Sequence, residues 1–340
     1  MKSIVVTGAA GSVGRRLIAR LGSHPDVERV VALDRLKLSA PSKTVSTSVA
    51  DLRSAELDQY FTGCDTLVHL AEDDRRRGDP DAVSSIVARV LDAAERCGVH
   101  HLIILSSATV YGAHEDNPVP LTESEPLRPN PEFGFALAKL ELEEEVTRWA
   151  EHTDAVVSIM RPATTLSERE ASWVARSLRT ATAVRPVGVD PPVQFLHHDD
   201  LTSAILTVMD VELAGVINVA PDGWIAPDAF RDLAGSSQLR VPDQVRNQIL
   251  DVRRRLNMRP VPDGLDAYVT APWVVANDRL RNAGWEPQFT NEEAFVLGTV
   301  APPWSVSPSR RQEIALGVAG VSVAAAAAAA GFVAKRVVRP

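Results

Sequence analysis

Cysteine is almost missing from this chain: Cys64 and Cys97 are the only two among 340 residues. They have no metal-ligand spacing and no neighbouring cysteine, which excludes a disulfide framework and a cysteine-built metal site. Positive charge is in deficit. Lys and Arg number 36 against 44 Asp and Glu, a net charge of −8. A surface that follows nucleic-acid phosphates would be basic, so no nucleic-acid partner is expected. His197 and His198 are adjacent, but no third ligand stands at a suitable spacing, so no metal centre is expected. No internal repeat is present. The chain begins with a predicted strand rather than a signal peptide. The absences fit a reducing compartment and a cytoplasmic location. The charged share, 24%, is ordinary for a soluble protein, and the length allows a large core in two lobes.

Charge is also missing from Ile314 to Ala334, a run that contains seven consecutive alanines. As a helix it would be roughly 31 Å long, about the thickness of a bilayer core. Arg310 and Arg311 precede it, and Lys335, Arg336 and Arg339 follow. The run is expected to anchor the protein at a membrane, with the larger N-terminal part on the cytoplasmic side. The alternative is an Ala-rich helix lying on the globular part or projecting into solvent. Pro302, Pro303 and Pro308 mark residues 301–313 as a linker.

The stretch that organises the rest is Lys2 to Gly14. Ser3 to Val6 read as a buried strand, and Arg15 to Leu21 as a helix that starts inside a glycine run. Gly8 permits a tight turn off the strand. Gly11 lets the backbone approach a pyrophosphate, and Gly14 lets the helix pack closely on the sheet. The helix N-terminus then presents N–H groups and partial positive charge to phosphates. A second apolar run, Arg29 to Leu33, ends in Asp34, twenty residues after Gly14. A carboxylate there accepts hydrogen bonds from a ribose diol and repels a 2′-phosphate, which favours NAD over NADP. Arg35 pulls the other way, since an arginine can contact such a phosphate.

Further strands are predicted at Thr44–Val49, Asp65–Ala71, His101–Leu105 and Asp154–Met160, the last halted by Arg161-Pro162. Helices are predicted over Pro80–Cys97 and Glu132–Glu151. Such alternation implies a Rossmann-type α/β fold, a doubly wound parallel sheet covered on both faces. Residues 1–165 form the dinucleotide-binding domain in this reading. Residues 166–300 form a smaller lobe interleaved with it, including a strand Val216–Val219 and a helix Leu201–Met209 that Asp199-Asp200 would cap. Arg246, Arg253, Arg254, Arg255 and Arg259 alternate with apolar residues, as on a surface helix with a solvated basic face. That face could also meet anionic lipid or line an anionic substrate pocket.

The order of these motifs resembles the extended short-chain dehydrogenase/reductases, the NAD-dependent epimerase/dehydratase family. The resemblance rests on Thr7-Gly-Ala-Ala-Gly-Ser-Val-Gly14, Asp34, Asp51-Leu52, His69-Leu-Ala71, Ser106-Ser-Ala-Thr-Val-Tyr-Gly112 and the helix carrying Lys139. Phe195-Leu-His-His-Asp-Asp200 and Asp278 to Pro287 extend it. It implies cofactor contacts from Thr7, Gly8, Gly11, Ser12, Val13, Gly14, Asp34, Asp51, Leu52, Leu70, Ala71 and Lys139. It also implies that Ser107 bonds the substrate oxygen, that the substrate is a nucleotide-sugar or similar hydroxyl compound, and that two copies pair through the Glu132–Glu151 helix. In the family a tyrosine one helical turn before the lysine carries the hydroxyl proton. Phe135 stands there, and Phe133 is no substitute, since a phenyl ring has no ionisable group. Tyr111, His114 and Lys139 are the nearby groups that could replace it. Three other departures are Glu72-Asp73-Asp74 after His-Leu-Ala, the missing asparagine near Val83, and Ala163-Thr-Thr-Leu-Ser167 after Arg161-Pro162. The readings are an atypical NAD-dependent oxidoreductase or epimerase, a non-catalytic NAD-binding sensor or scaffold at the membrane, and an interaction module with a closed pocket.

Overall fold

The computed structural model describes residues 1–71, 81–168, 171–182, 184–186, 188, 190–234, 239–242, 244–246, 248–249, 252 and 262–299. The strands are β1 (Lys2–Thr7), β2 (Val27–Asp34), β3 (Val45–Val49), β4 (Thr66–His69), β5 (His101–Leu105), β6 (Val156–Pro162), β7 (Thr164–Leu166), β8 (Val184–Pro186), β9 (Phe195–His197), β10 (Gly215–Val219) and β11 (Leu239–Val241). The helices that matter below are α1 (Ser12–Leu21), α2 (Asp58–Phe61), α3 (Asp81–Arg96), α4 (Gly134–Ala150), α5 (Trp173–Thr182), α6 (His198–Val211) and α7 (Pro227–Ala234).

Seven strands form one sheet in the order β10-β6-β5-β4-β1-β2-β3. Every pairing in it is parallel. A parallel sheet must be covered on both faces, and the alternation along β1 shows how. Ile4 and Val6 join a core with Leu17, Ile18 and Leu21 of α1 and Leu201, Ile205 and Val208 of α6. Val5 joins the opposite core with Val87, Val90 and Leu91 of α3 and Leu142 and Val146 of α4. A fully buried side chain of this kind contributes roughly 1.5–3 kcal/mol, so both layers hold the sheet firmly. A third cluster lies outside the sheet and includes the aromatic rings of Phe133, Tyr268, Phe135, Trp173 and Trp273. The pairs β7–β9 and β8–β11 are short and separate.

Most strand and helix expectations hold to within a residue or two. Two local expectations change. β6 runs through Arg161-Pro162, because β10 pairs with both residues: Asn218 opposes Arg161 and Val219 opposes Pro162. Proline is tolerated at this end because the following amide, Ala163 N–H, continues the ladder to Val219 O at 2.9 Å. Asp199 and Asp200 do not cap the Leu201 helix. α6 begins at His198, and its N-cap is His197, whose Nδ1 accepts from Asp199 N–H at 3.2 Å. Asp200 instead accepts from the Gln288 and Phe289 amides, at 2.8 and 3.0 Å, pinning a distant loop.

The basic segment also changes where it is described. Arg246 is buried and paired with Asp266, while Val245 and Val252 are exposed. Its guanidinium therefore belongs to no solvated basic face. Arg253, Arg254, Arg255 and Arg259 lie outside the described residues, as do Glu72-Asp73-Asp74, the linker 301–313 and the run 314–334. Among the described residues no helix is long and apolar enough to cross a membrane. Both cysteines are free thiols, and burial pushes the Cys64 thiol up to about 12.

Candidate active site

All parallel strands point their carboxyl ends to one edge, and a cavity of about 450 Å³ opens there. Ligands of such sheets sit at this edge. Its wall includes Gly8, Gly11, Ser12, Val13 and Gly14, then Asp34, Asp51, Leu52, Leu70 and Ala71, then Ser107 and Phe135. The open cavity removes the reading in which the pocket is closed.

The end near β1, β2 and β3 is built largely from main chain. Gly8 has φ +71°, and a Cβ on it would lie 2.6 Å from Ala71 N. A Cβ on Gly14 would lie 2.8 Å from Ala9 Cα. Only glycine fits either place. A Cβ on Gly11, which lines the cavity, would meet Gly8 O at 3.1 Å. No side chain caps α1, and no acidic residue lies in its first turn. Its positive end is therefore left for an anion, as a diphosphate requires. Asp34 closes the loop from the side. One of its oxygens accepts from Ala10 N–H and the other from Leu36 N–H, both at 2.9 Å. A carboxylate has about four acceptor sites, so two remain for a ribose diol. Arg53 forks onto Asp51 at 3.0 and 2.8 Å and holds that carboxyl down to about 2, chiefly by hydrogen bonding. These residues fit the dinucleotide that the sequence implies.

Beyond β4 and β1, at β5 and β6, the wall is made by side chains. Ser107 lies where β5 ends and N-caps a short 3-10 turn, Ala108–Tyr111. Its Oγ accepts from Thr109 N–H at 3.2 Å and from Thr109 Oγ1 at 3.0 Å. With both lone pairs used, its remaining capacity is to donate its own proton. Phe135 sits in the first turn of α4, one turn before Lys139 and facing the cavity. Lys139 is buried behind the wall. Its Nζ donates to Leu105 O at 2.9 Å and lies 5.7 Å from the centre of the Phe135 ring.

A buried polar chain runs underneath. Ser106 Oγ donates to Glu143 Oε1 at 2.5 Å, and the Arg161 guanidinium clasps the same carboxylate at 2.5–3.2 Å. Arg161 also donates to the Tyr111 hydroxyl, which donates to Asn218 Oδ1, both at 2.8 Å. Burial raises the Tyr111 pKa, and the ring is fully enclosed. Tyr111 therefore has neither access nor acidity for proton transfer to a ligand. His114 is tied to Arg128 O at 2.7 Å and is no part of the cavity wall. Burial, aided by the Lys139 charge, pulls His69 down to about 4, so it is neutral at pH 7. Its Nδ1 pairs with Thr7 Oγ1 at 2.8 Å beneath the pocket.

Of the residues named from the sequence, Thr7 and Lys139 support the wall rather than line it. The other residues implied to contact cofactor or substrate are brought together at the cavity. The sequence reading missed Trp173, Trp273, His198 and Arg53, which also line it. His198 Nδ1 meets Ser12 Oγ at 3.0 Å, joining α6 to the glycine loop. Its place in the His-His-Asp-Asp run was a usable signal. Nothing local marks either tryptophan. Among the described residues no cluster could hold a metal ion.

Residues 4–220 match the profile of the NAD dependent epimerase/dehydratase family. An uncharacterized protein of Mycobacterium tuberculosis is 26% identical over 312 residues, covering 86% of this chain and 82% of that protein. The N-acetyl-alpha-D-glucosaminyl-diphospho-ditrans,octacis-undecaprenol 4-epimerase of Escherichia coli O157:H7 is 30% identical over 175 residues, 49% of this chain and 50% of the enzyme. The fold matches the Thermus thermophilus UDP-glucose 4-epimerase solved with NAD, with a TM-score of 0.65 and 19% identity over 87% of this chain and 97% of that one.

Proposed function

Because this chain belongs to the NAD-dependent epimerase/dehydratase family, we propose that it binds NAD and exchanges hydride with a nucleotide-sugar or similar hydroxyl or carbonyl compound, without a tyrosine as proton carrier. The observation that carries this is the continuity of one cavity from Asp34 and the glycine loop to Ser107 and Phe135. In the family the cofactor is NAD, which when bound supplies a hydride acceptor or donor. The chain's own residues then have separable tasks. Gly8, Gly11 and Gly14 let the backbone of the loop and α1 meet the diphosphate, with Ser12 and Val13 beside them. Asp34 accepts from the adenosine ribose, while Asp51, Leu52, Leu70 and Ala71 enclose the adenine side. Ser107 donates to the substrate oxygen. Lys139 and Thr7 hold the floor in place, Lys139 also adding positive charge near the nicotinamide end. Phe135 has no ionisable group and moves no proton, so the proton of the substrate oxygen is exchanged with water that enters through the open cavity.

The division into a cofactor domain, 1–165, and a substrate lobe, 166–300, belongs to this reading. So do pairing of two copies through the Glu132–Glu151 helix and a cytoplasmic location with membrane attachment by Ile314–Ala334. Phe135 and the enclosed Tyr111 favour one second reading, a non-catalytic NAD-binding sensor or scaffold.

Calorimetry with NAD, followed by assays of wild type and Phe135→Tyr on a panel of nucleotide-sugars and simple ketones, separates the two. Turnover by wild type is the expected result. Turnover by Phe135→Tyr alone would favour the sensor, and no binding of NAD would sink both.

A further inference from the structure

The same pocket carries an aromatic wall that the glycine loop does not require. Phe135, Trp173 and Trp273 all face the cavity. The Phe135 and Trp173 rings are 5.5 Å apart. Phe133, buried behind them, stacks on Trp173 at 6.2 Å and 12°, and lies 5.0 Å from Tyr268. Tyr268 in turn meets Trp273 edge-on at 5.3 Å. The polar ends of the second pair are spent inside the protein. Trp273 Nε1 donates to Tyr268 O at 3.0 Å, and the Tyr268 hydroxyl donates to Thr109 O at 2.7 Å. Thr109 is also the residue that bonds Ser107, so the rigid aromatic cluster adjoins the Ser107 hydroxyl.

Charge in this region argues against a diphosphate as the second ligand. Arg185 and Arg246 are buried away from the cavity wall, Arg185 committed to Asp190 and to Val269 O and Arg246 to Asp266. Arg176 lines the cavity, but its guanidinium donates to Ala171 O. Among the described residues Arg176 is the one arginine that lines this end of the cavity, whereas a nucleotide-sugar would bring two phosphates to it. Flat rings, by contrast, pack favourably on such a wall through offset or edge contacts.

Taking NAD binding as the premise, we infer that the substrate is a planar aromatic carbonyl compound: its ring lies on Phe135, Trp173 and Trp273, and its oxygen accepts from Ser107. Ser107 selects the oxygen because its lone pairs are occupied by Thr109 and only its proton is left to give. Phe135, in place of a proton carrier, completes the apolar surface.

The test uses the full chain with and without saturating NAD, and three probes: 2-acetonaphthone, cyclohexyl methyl ketone and UDP-glucose. Affinities come from calorimetry and from quenching of tryptophan fluorescence. 2-Acetonaphthone is expected to bind at least tenfold more tightly than either other probe. Trp173→Ala and Trp273→Ala should each weaken it at least fivefold, with NAD affinity within about twofold of wild type. Trp173→Phe, which keeps a flat ring, should restore most of the loss. Tighter binding of UDP-glucose, equal binding of the cyclohexyl ketone, or indifference to both tryptophan variants would overturn the inference. If NAD itself fails to bind, the proposed function falls. The probe affinities measured without cofactor still decide the aromatic wall.

Discussion

At the ends of β1, β2 and β3 the cavity is walled by Gly8, Gly11, Gly14 and backbone amides. At the ends of β5 and β6 it is walled by Ser107, Phe135 and two tryptophans over a buried ion pair. From β2 to β5 is three strand spacings, about 14 Å. One end is specific because nothing protrudes, the other because of what protrudes. Backbone geometry is set by a short run of sequence. A side-chain cluster needs residues from distant segments: the aromatic wall joins positions 133 and 135 to 173, 268 and 273. The first end can thus keep its cofactor while the second changes its chemistry.

The comparison can be broken from either side. The largest effect is expected at Glu143. Glu143→Ala would strand the Arg161 guanidinium, which is almost wholly buried, and a broken buried pair typically costs 3–5 kcal/mol. Urea unfolding should show that loss, while the folded fraction still binds NAD with near wild-type affinity. Equal damage to NAD binding would mean that the two ends are not separable.

Gly14→Val attacks the other end. Its Cβ would crowd Ala9 Cα and C at 2.8 and 2.9 Å, forcing the loop and α1 apart. NAD affinity should fall about 100-fold, on the order of 3 kcal/mol. Circular dichroism should stay native, and binding of 2-acetonaphthone without cofactor should change little.

Acid tests what lies beneath both ends. His69 is held at about 4 against an ordinary value of 6.5, chiefly by burial. Between those values the unfolded chain binds more protons than the folded one. Stability is therefore complete above about pH 6.5 and is lost as the pH falls toward 4. The loss is on the order of 2–3 kcal/mol for this group. His101, also held at about 4 by burial, adds to it at the opposite end of the strands. Thermal unfolding across this range should show the slope, and His69→Asn should flatten it. A slope unchanged in His69→Asn would mean that the ring is not buried neutral.

The smallest effect is expected at Asp34. Asp34→Ala removes a ribose acceptor and the ties to Ala10 and Leu36. NAD should bind about tenfold more weakly, about 1.4 kcal/mol. A gain for NADP in Asp34→Ala, measured beside it, would assign Arg35 to the 2′-phosphate.

Legibility in the sequence follows the same division. The glycine loop, Asp34 and the strand–helix alternation were readable because each is a local pattern in which spacing fixes geometry. Ser107 was readable from its neighbours, and the structure adds that it caps a turn and faces the cavity at once. Phe135 was readable as a departure, but not as one face of an aromatic wall. Tyr111 is near enough in sequence to be a candidate proton carrier, yet the fold encloses it against Arg161 and Asn218. Arg246 looked like part of a basic face, and its partner Asp266 lies too far along the chain to be inferred.

The sequence by itself determined a dinucleotide loop with its acidic partner and a parallel sheet with helices on both faces. Those depend on backbone conformations and apolar periods that a few adjacent residues impose. Only the tertiary structure decided which tryptophans meet Phe135, that Glu143 and Arg161 neutralise each other, and that Lys139 supports the wall from behind. Those depend on distances between separate segments, 18 residues apart for Glu143 and Arg161 and 34 for Lys139 and Leu105, which no local pattern contains.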